Sequence, residues 1–320
     1  MSGEAPSRAP GPKAGSIDGC VVVDKPPGMT SHDVVARCRR VLGEARAGHA
    51  GTLDPDATGV LVIGLGRATR LLGFVSGRPK SYSCELVLGS ATTTLDAGGE
   101  VVATFDMAGV TLGDVREVAR RFTGRIQQVP PMVSALKRGG RRLHELAREG
   151  VEVAREPRAV EVTRLEVDGT DLPGVFRLEV DCSSGTYVRS LAADLGAALG
   201  GGAHLRRLRR LAVGRFSLGS AVPLALLDRS CVRPASELVG HLARLVPDAA
   251  VHEAIAHGRV LERRVLGATG DGPWAVLDAE GSLLAVYEAW PGERAKPSVV
   301  LWAGPGTGSV RPTGGDRPGD

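Results

Sequence analysis

The first apolar run, Cys20-Val21-Val22-Val23, stops at Lys25-Pro26-Pro27-Gly28 and reads as a short buried strand. Ser31 or Asp33 then stands where a helix cap belongs, and the helix runs to about Leu42. Val60 to Leu65 predicts a second strand, followed by a helix-like stretch from Ala68 to Val75. Ser81–Leu88 and Val101–Phe105 read as strands with a polar loop between them. Thr111 opens a helical segment in which Val115, Val118, Ala119 and Phe122 recur at helical spacing. Val160–Val167 and Val175–Cys182 look like neighbours in an antiparallel pair, and Leu191, Leu195 and Leu199 mark an amphipathic helix. From about residue 246 the pattern changes to short strands, Ala275–Leu277, Leu283–Tyr287 and Val299–Trp302, separated by Gly and Pro. There is no internal repeat. Antiparallel-looking strands outnumber clean βαβ units, so the expected class is α+β: a central, mostly antiparallel sheet flanked by helices, with a small C-terminal β-rich module.

This pattern divides the chain into a catalytic-sized domain over 17–245 and a small module over 246–303. Residues 1–16 and 304–320 are Gly/Pro/Ser-rich and are expected to be disordered tails. The apolar fraction of 42% and charged fraction of 24% are those of a soluble globular protein. Aromatics make up only 3%, so a Tyr beside a polar motif is more notable than usual. The net charge of +4 permits a nucleic-acid partner without demanding one. Cys20, Cys38, Cys84, Cys182 and Cys231 lie far apart with no C-x-x-C pair, which argues against a zinc cage or a disulfide framework and for reduced thiols in a cytoplasm. No stretch approaches the ~18 apolar residues of a membrane span. The N-terminus lacks the apolar core of a signal peptide.

Four segments can carry chemistry. In His49-Ala50-Gly51-Thr52-Leu53-Asp54-Pro55-Asp56-Ala57-Thr58-Gly59, Asp54 reads first as a turn former and Asp56 as a cap. The same loop also offers carboxylates and His49 for acid/base or nucleophilic work. In Ser184-Gly185-Thr186-Tyr187-Val188-Arg189-Ser190 a strand gives way to a helix, and Arg189 there can pair with a buried carboxylate and keep it ionised. The plainer alternative is a surface ion pair for Arg189 and ring packing for Tyr187. His204-Leu205-Arg206-Arg207-Leu208-Arg209-Arg210-Leu211 holds four arginines and no acid, and Arg215 follows. Such a run is either a solvated face or a polyanion site. Lys137-Arg138-Gly139-Gly140-Arg141-Arg142 repeats the signal as a flexible basic loop. Tyr82, in Lys80-Ser81-Tyr82, is a packed strand residue or, with Tyr187, half of a stacking site for a planar base. Gly64-Leu65-Gly66 lacks the third glycine of a dinucleotide fingerprint and is read as a turn. Together these segments suit an enzyme acting on one base of a folded RNA.

The residues also match a known family. Asp24-Lys25-Pro26 with Gly28-Met29-Thr30-Ser31, and Gly48-His49-Ala50-Gly51-Thr52-Leu53-Asp54-Pro55 with Ala57-Thr58-Gly59, resemble the first two motifs of the TruB pseudouridine synthases. Lys80-Ser81-Tyr82, Pro131-Met132-Val133-Ser134-Ala135-Leu136-Lys137, Gly185-Thr186-Tyr187-Val188-Arg189 and Leu208-Arg209-Arg210-Leu211-Ala212-Val213 resemble the later ones, in family order. The resemblance implies the pseudouridine synthase fold and isomerisation of the uridine at position 55 in the T-loop of tRNA. The base is flipped out, detached from its ribose and rejoined through C5, without cofactor or metal. It implies Asp54 as the reacting carboxylate, attacking C1′ or taking a proton from C2′, with Arg189 paired to it. Tyr82 stacks on the base and assists loss of the C5 proton, Tyr187 and Leu208 line the pocket, and His49 sits beside the flipped nucleotide. Asp96, Lys137, Arg141, Arg142, Arg209 and Arg210 are the expected RNA contacts, with Asp96 alternatively ordering its loop. Residues 124–158 look like an RNA-gripping insertion, and the C-terminal module resembles a PUA-type module that would reach the acceptor arm.

The sequence departs from the family at Thr93, which replaces the first Asp of T-D-T-x-D-x-x-G, at Val133 and His144, which replace residues often aromatic, and at Arg70, where a Lys is also found. The expected partner is tRNA alone, bound by a monomer with no membrane and no obligate protein partner. The rivals are a guide-RNA-dependent, dyskerin-like synthase and a non-catalytic RNA-binding or tRNA-folding protein. A role in tRNA folding is compatible with catalysis.

Overall fold

The computed structural model describes residues 17–134, 137–138, 141–142, 149, 151 and 153–302. The expectations for the two tails and for His144 lie outside these residues, as do the side chains of Lys137, Arg141 and Arg142.

Among the described residues, eleven strands join one mixed sheet. Its main path runs β14 (Val222–Pro223), β1 (Gly19–Lys25), β3 (Thr58–Leu65), β12 (Ala203–Val213), β4 (Lys80–Leu88), β11 (Val175–Cys182), β10 (Arg158–Gly169) and β7 (Gly124–Gln128). β2 (Ala47–His49), β13 (Phe216–Ser217) and β15 (Arg233–Pro234) attach to β3, β12 and β1. All pairings are antiparallel except β1 with β14 and β3 with β12. β7 therefore belongs to the main sheet, so the expected insertion from residue 124 begins as a sheet edge. β8 (Lys137–Arg138) and β9 (Arg141–Arg142), two residues each, follow it as an antiparallel pair. β5 (Ser90–Thr92) and β6 (Val101–Thr104) form a separate small ribbon.

Helix α1 (Ser31–Leu42) is capped by Thr30, not by Ser31 or Asp33. Thr30 and Asp33 form a reciprocal capping box, which frees the Ser31 side chain for other contacts. Gly66–Leu71 and α2 (Leu72–Ser76) supply the helical stretch after β3. Thr111 and Asp114 cap α3 (Leu112–Arg121) in the same way as α1. α4 (Val188–Ala198) lays Leu191, Ala192 and Leu195 into the core under β4, β11 and β12.

β3 and β12 approach so closely that a Cβ at Gly59 would lie 2.1 Å from the Arg210 carbonyl oxygen, and Gly59 has φ +104°. Only glycine meets both demands. β12 carries a bulge between Arg206 and Arg209, where Arg207 takes φ 53°. The extra residue re-aims the strand, and Leu208 comes to line the central cavity.

The C-terminal sheet runs β16 (Ala243–Leu245), β18 (Trp274–Leu277), β19 (Leu283–Trp290), β20 (Arg294–Val300) and β17 (Leu261–Glu262). It begins slightly before the expected boundary at 246. Its last long strand starts at Arg294 rather than Val299, and Pro297 sits opposite Tyr287, beyond the two residues that β17 pairs. A missing N–H is tolerated there. Ala275, Leu277, Leu283 and Val286 share one apolar cluster with Val22, Val60 and Val62 of the main sheet, so the module is packed onto the larger domain.

Candidate active site

Asp54 lies on the loop between β2 and β3, and three fixtures hold that loop. The Ser31 hydroxyl accepts from the Leu53 N–H at 2.9 Å and donates to the Leu53 carbonyl at 3.2 Å. The buried Lys25 ammonium donates to the carbonyls of Pro26, Pro55 and Ala57 at 2.9, 2.7 and 2.7 Å. Arg210, 1% exposed, donates from Nε to Val60 O at 2.8 Å, from Nη1 to Thr52 O at 3.3 Å and from Nη2 to Gly51 O at 3.1 Å. A half-buried carboxylate is thus presented on backbone that cannot drift far.

Arg189, on the first turn of α4, closes on that carboxylate from the side. Its Nε lies 2.9 Å from Asp54 Oδ2, and its Nη2 donates to Asp54 Oδ1 at 3.2 Å. Further bonds to Thr94 O and Val133 O, both 2.8 Å, lock the guanidinium plane. Burial pushes the Asp54 carboxyl above the ordinary carboxylate range, and the Arg189 charge opposes that shift. Asp96 Oδ2 lies 3.7 Å from Arg189 Nη1. Its Oδ1 accepts from Thr94 Oγ1 at 2.6 Å and from the Gly98 N–H at 3.0 Å. The Asp96 carboxylate is therefore tied to its own loop and to Arg189.

An open cavity of about 270 Å³ lies against this pair, lined by Asp54, Arg189, Tyr82, Tyr187, Leu208, Lys80 and Arg210 among others. Gln128, 2% exposed, clamps Tyr187 at both ends of its backbone, accepting from its N–H at 2.8 Å and donating to its carbonyl at 3.0 Å. Tyr82 is 8% exposed, and burial raises its hydroxyl pKa. His49 lies outside the cavity lining, with its ring edge-on to His32 at 5.3 Å. Burial first, then the His32 and Arg210 charges, lower its pKa, which favours a neutral ring.

The arginine run on β12 departs from expectation. Arg206 and Arg207 both pair with Glu85 of β4, at 2.7 and 2.9 Å. Arg209 makes a two-pronged pair with Asp24 of β1, at 3.1 and 2.7 Å. Arg210 is buried and lines the cavity instead of standing on a basic surface. The run lacks acids only in sequence, because its partners arrive from neighbouring strands.

Lys25, Ser31, Lys80 and Gln128 did not emerge as site residues from the sequence. Lys80 was legible: the strict alternation of buried positions along β4 puts Lys80, Tyr82, Cys84, Leu86 and Leu88 on one inward face. A lysine on such a face asks for a reason. Nothing local marks Gln128.

Fold and site define a class, the RNA pseudouridylate synthases. A chain of a Cbf5-Nop10-Gar1 complex aligns with TM-score 0.66 and 28% identity, covering 85% of this chain and 78% of that one. A chain of the archaeal box H/ACA sRNP Nop10-Cbf5 complex aligns with TM-score 0.66 and 26% identity, covering 88% and 85%. Within that class, residues 39–188 match the N-terminal domain of the TruB family of pseudouridylate synthases, and residues 189–247 match the tRNA pseudouridylate synthase B C-terminal domain. The tRNA pseudouridine synthase B of Mycobacterium sp. (strain KMS) is 47% identical over 90% of this chain and 97% of its own. That of Mycobacterium tuberculosis (strain ATCC 25618 / H37Rv) is 45% identical over 88% and 95%. The chain belongs to the TruB family.

Proposed function

We propose that this protein converts uridine to pseudouridine at position 55 in the T-loop of tRNA, acting as a monomer without a guide RNA. The observation that carries the reading is the Asp54–Arg189 pair opening on a cavity lined by Tyr82, Tyr187 and Leu208. A carboxylate held ionised beside two aromatic rings and an aliphatic wall suits a flipped pyrimidine nucleoside and little else in RNA chemistry. The greater identity to relatives named tRNA pseudouridine synthase B than to Cbf5 chains favours the stand-alone enzyme over the guide-dependent one.

In the proposed reaction the target uridine leaves the T-loop, and His49 sits beside the flipped nucleotide and helps to stabilise the opened loop. Tyr82 and Leu208 hold the ring. Asp54 attacks C1′ or removes the C2′ proton, and in either case the glycosidic bond breaks with its electron pair on N1. The ring turns and C5 bonds to C1′ as the Asp54–C1′ bond breaks or, on the other route, as Asp54 returns the proton to C2′; C5 then loses its proton with help from the Tyr82 hydroxyl, and N1 gains one. No step calls for a cofactor or metal. Among the described residues, no group of His, Cys, Asp and Glu side chains is arranged to hold a metal ion, and no helix is long and apolar enough to cross a membrane. A cytoplasmic location belongs to the same proposal, as do backbone contacts from Lys137, Arg141 and Arg142 and an acceptor-arm contact from the C-terminal module.

The test is an unmodified tRNA transcript incubated with the protein alone, followed by mapping of pseudouridine by position. The expected product is at the T-loop uridine. Asp54→Asn should lower turnover by about ten-thousand-fold while still binding tRNA. Product elsewhere, or retained turnover in that variant, refutes the assignment. Activity appearing only after a guide RNA is added would transfer the reading to the dyskerin-like class.

A further inference from the structure

Two cations face the cavity without a carboxylate. Lys80, 8% exposed, donates from Nζ to the carbonyls of Ser76 and Arg78, both at 2.9 Å. Arg210 is the direct cross-strand neighbour of Tyr82, lies within hydrogen-bonding reach of its hydroxyl, and donates to the carbonyls of Val60, Thr52 and Gly51. Among the described residues neither has an acidic partner within ion-pair distance, although Asp24 and Glu85 neutralise the other arginines of the same strand. Their titratable neighbours supply no counter-charge. Burial pushes the Cys182 thiol up to about 11 and also raises the Tyr82 hydroxyl, so both stay neutral. Lys80 itself is pushed down to about 8, chiefly by burial and then by Arg210. An uncompensated buried cation is unfavourable unless an anion arrives.

We propose that Lys80 and Arg210 form a cationic floor that binds the uracil anion released when the glycosidic bond breaks. This rests on the reaction proposed above. The C1′–N1 bond breaks with its electron pair left on N1, whichever way Asp54 acts, and the charge spreads over N1, O2 and O4 of the free ring. When C5 donates an electron pair to C1′, displacing the Asp54 carboxylate or accompanied by return of the C2′ proton, the ring becomes neutral again; C5 then loses its proton and N1 gains one. The anion exists only between those two bond changes. Fixed cations held against the ring therefore favour it over the bound uridine and lower the barrier to cleavage. Neutral carbonyl partners hold both side chains in place and leave their charge available.

The test compares single-turnover loss of the target nucleoside in T-loop RNA carrying either uridine or 5-fluorouridine. Fluorine at C5 stabilises the departing anion, so 5-fluorouridine needs the floor less. Lys80→Met and Arg210→Met should each slow uridine cleavage about 100-fold. The same variants should slow 5-fluorouridine cleavage about 10-fold or less, and Lys80→Arg should recover part of the uridine rate. Equal slowing of both substrates would make the two residues structural and overturn the floor. Arg210→Met orphans three carbonyls, so far-UV circular dichroism accompanies it, and Lys80→Met decides the question if Arg210→Met does not fold. Failure of the wild-type protein to consume either RNA would instead sink the reaction itself, and the floor with it.

Discussion

The side wall and the floor of the cavity treat buried positive charge in opposite ways. On the wall, Arg189 is surrounded by acids, with Asp54 at 2.9 Å and Asp96 at 3.7 Å. On the floor, Lys80 and Arg210 meet neutral oxygens, carbonyls and, for Arg210, the Tyr82 hydroxyl. The wall's cation is used in the resting protein, where it keeps one carboxylate ionised and aimed. The floor's cations have no such partner until the chemistry creates one. A buried ion pair and a buried lone cation look alike as single residues in a sequence, yet the first prepares a nucleophile or base and the second awaits an anion.

The wall breaks most severely at Arg189. Arg189→Met should lower kcat by about 100- to 1000-fold with a much smaller effect on tRNA affinity. The pH dependence carries the sign. Burial already raises the Asp54 carboxyl and Arg189 opposes that rise, so removing the guanidinium raises it further. Less Asp54 is then ionised at a given pH, and the acid limb of kcat moves to higher pH. Measuring kcat from about pH 5 to 9 for wild type and variant checks this; an unmoved limb means Arg189 does not set the ionisation of Asp54.

How much of this was legible depended on whether partners lay close in sequence. The strand and helix pattern was readable, because apolar alternation and helical spacing are local properties. So was the core of the site, Asp54 with Arg189, Tyr82, Tyr187 and Leu208, once the ordered motifs were taken together. What the sequence did not show was where the arginine run on β12 finds its partners. Its partners Glu85 and Asp24 lie over a hundred residues away and meet it only through sheet register. The bulge that turns Leu208 into the cavity was equally invisible, since a left-handed Arg207 leaves no mark in composition. The cap of α1 was missed by one position, because Thr30 and Ser31 are both good caps and only the structure assigns Ser31 to the Leu53 backbone.

Lys25 tests whether a lone buried cation can also be purely a fixture. It shares the floor's chemistry, three carbonyl acceptors and no acid at bonding distance, but it lies beneath the Asp54 loop and does not line the cavity. Lys25→Met should lower stability by about 1–3 kcal/mol, the usual penalty for orphaned buried acceptors, and reduce kcat by about 10-fold as the loop loosens. Melting temperature and kcat measured together separate it from Lys80. Its slowing should be the same for uridine and 5-fluorouridine, and a substrate-dependent slowing would move Lys25 into the floor.

The smallest effect is expected where the sequence promised a large one. Arg209 carries a full charge beside the site, but its guanidinium is half-exposed and already bound by Asp24 and Thr58. A partly exposed pair of this kind contributes about 0–1 kcal/mol, and breaking it frees an aspartate as much as it removes an arginine. Arg209→Ala should leave tRNA affinity within about 2-fold, and the slope of log affinity against log salt unchanged. A cation that neutralises a phosphate behaves otherwise: its removal weakens binding at every sequence and flattens that slope by about one unit. Binding measured across a salt series therefore decides whether the β12 arginines stitch the sheet together, as their partners indicate, or leave Asp24 and Glu85 for the RNA when tRNA arrives.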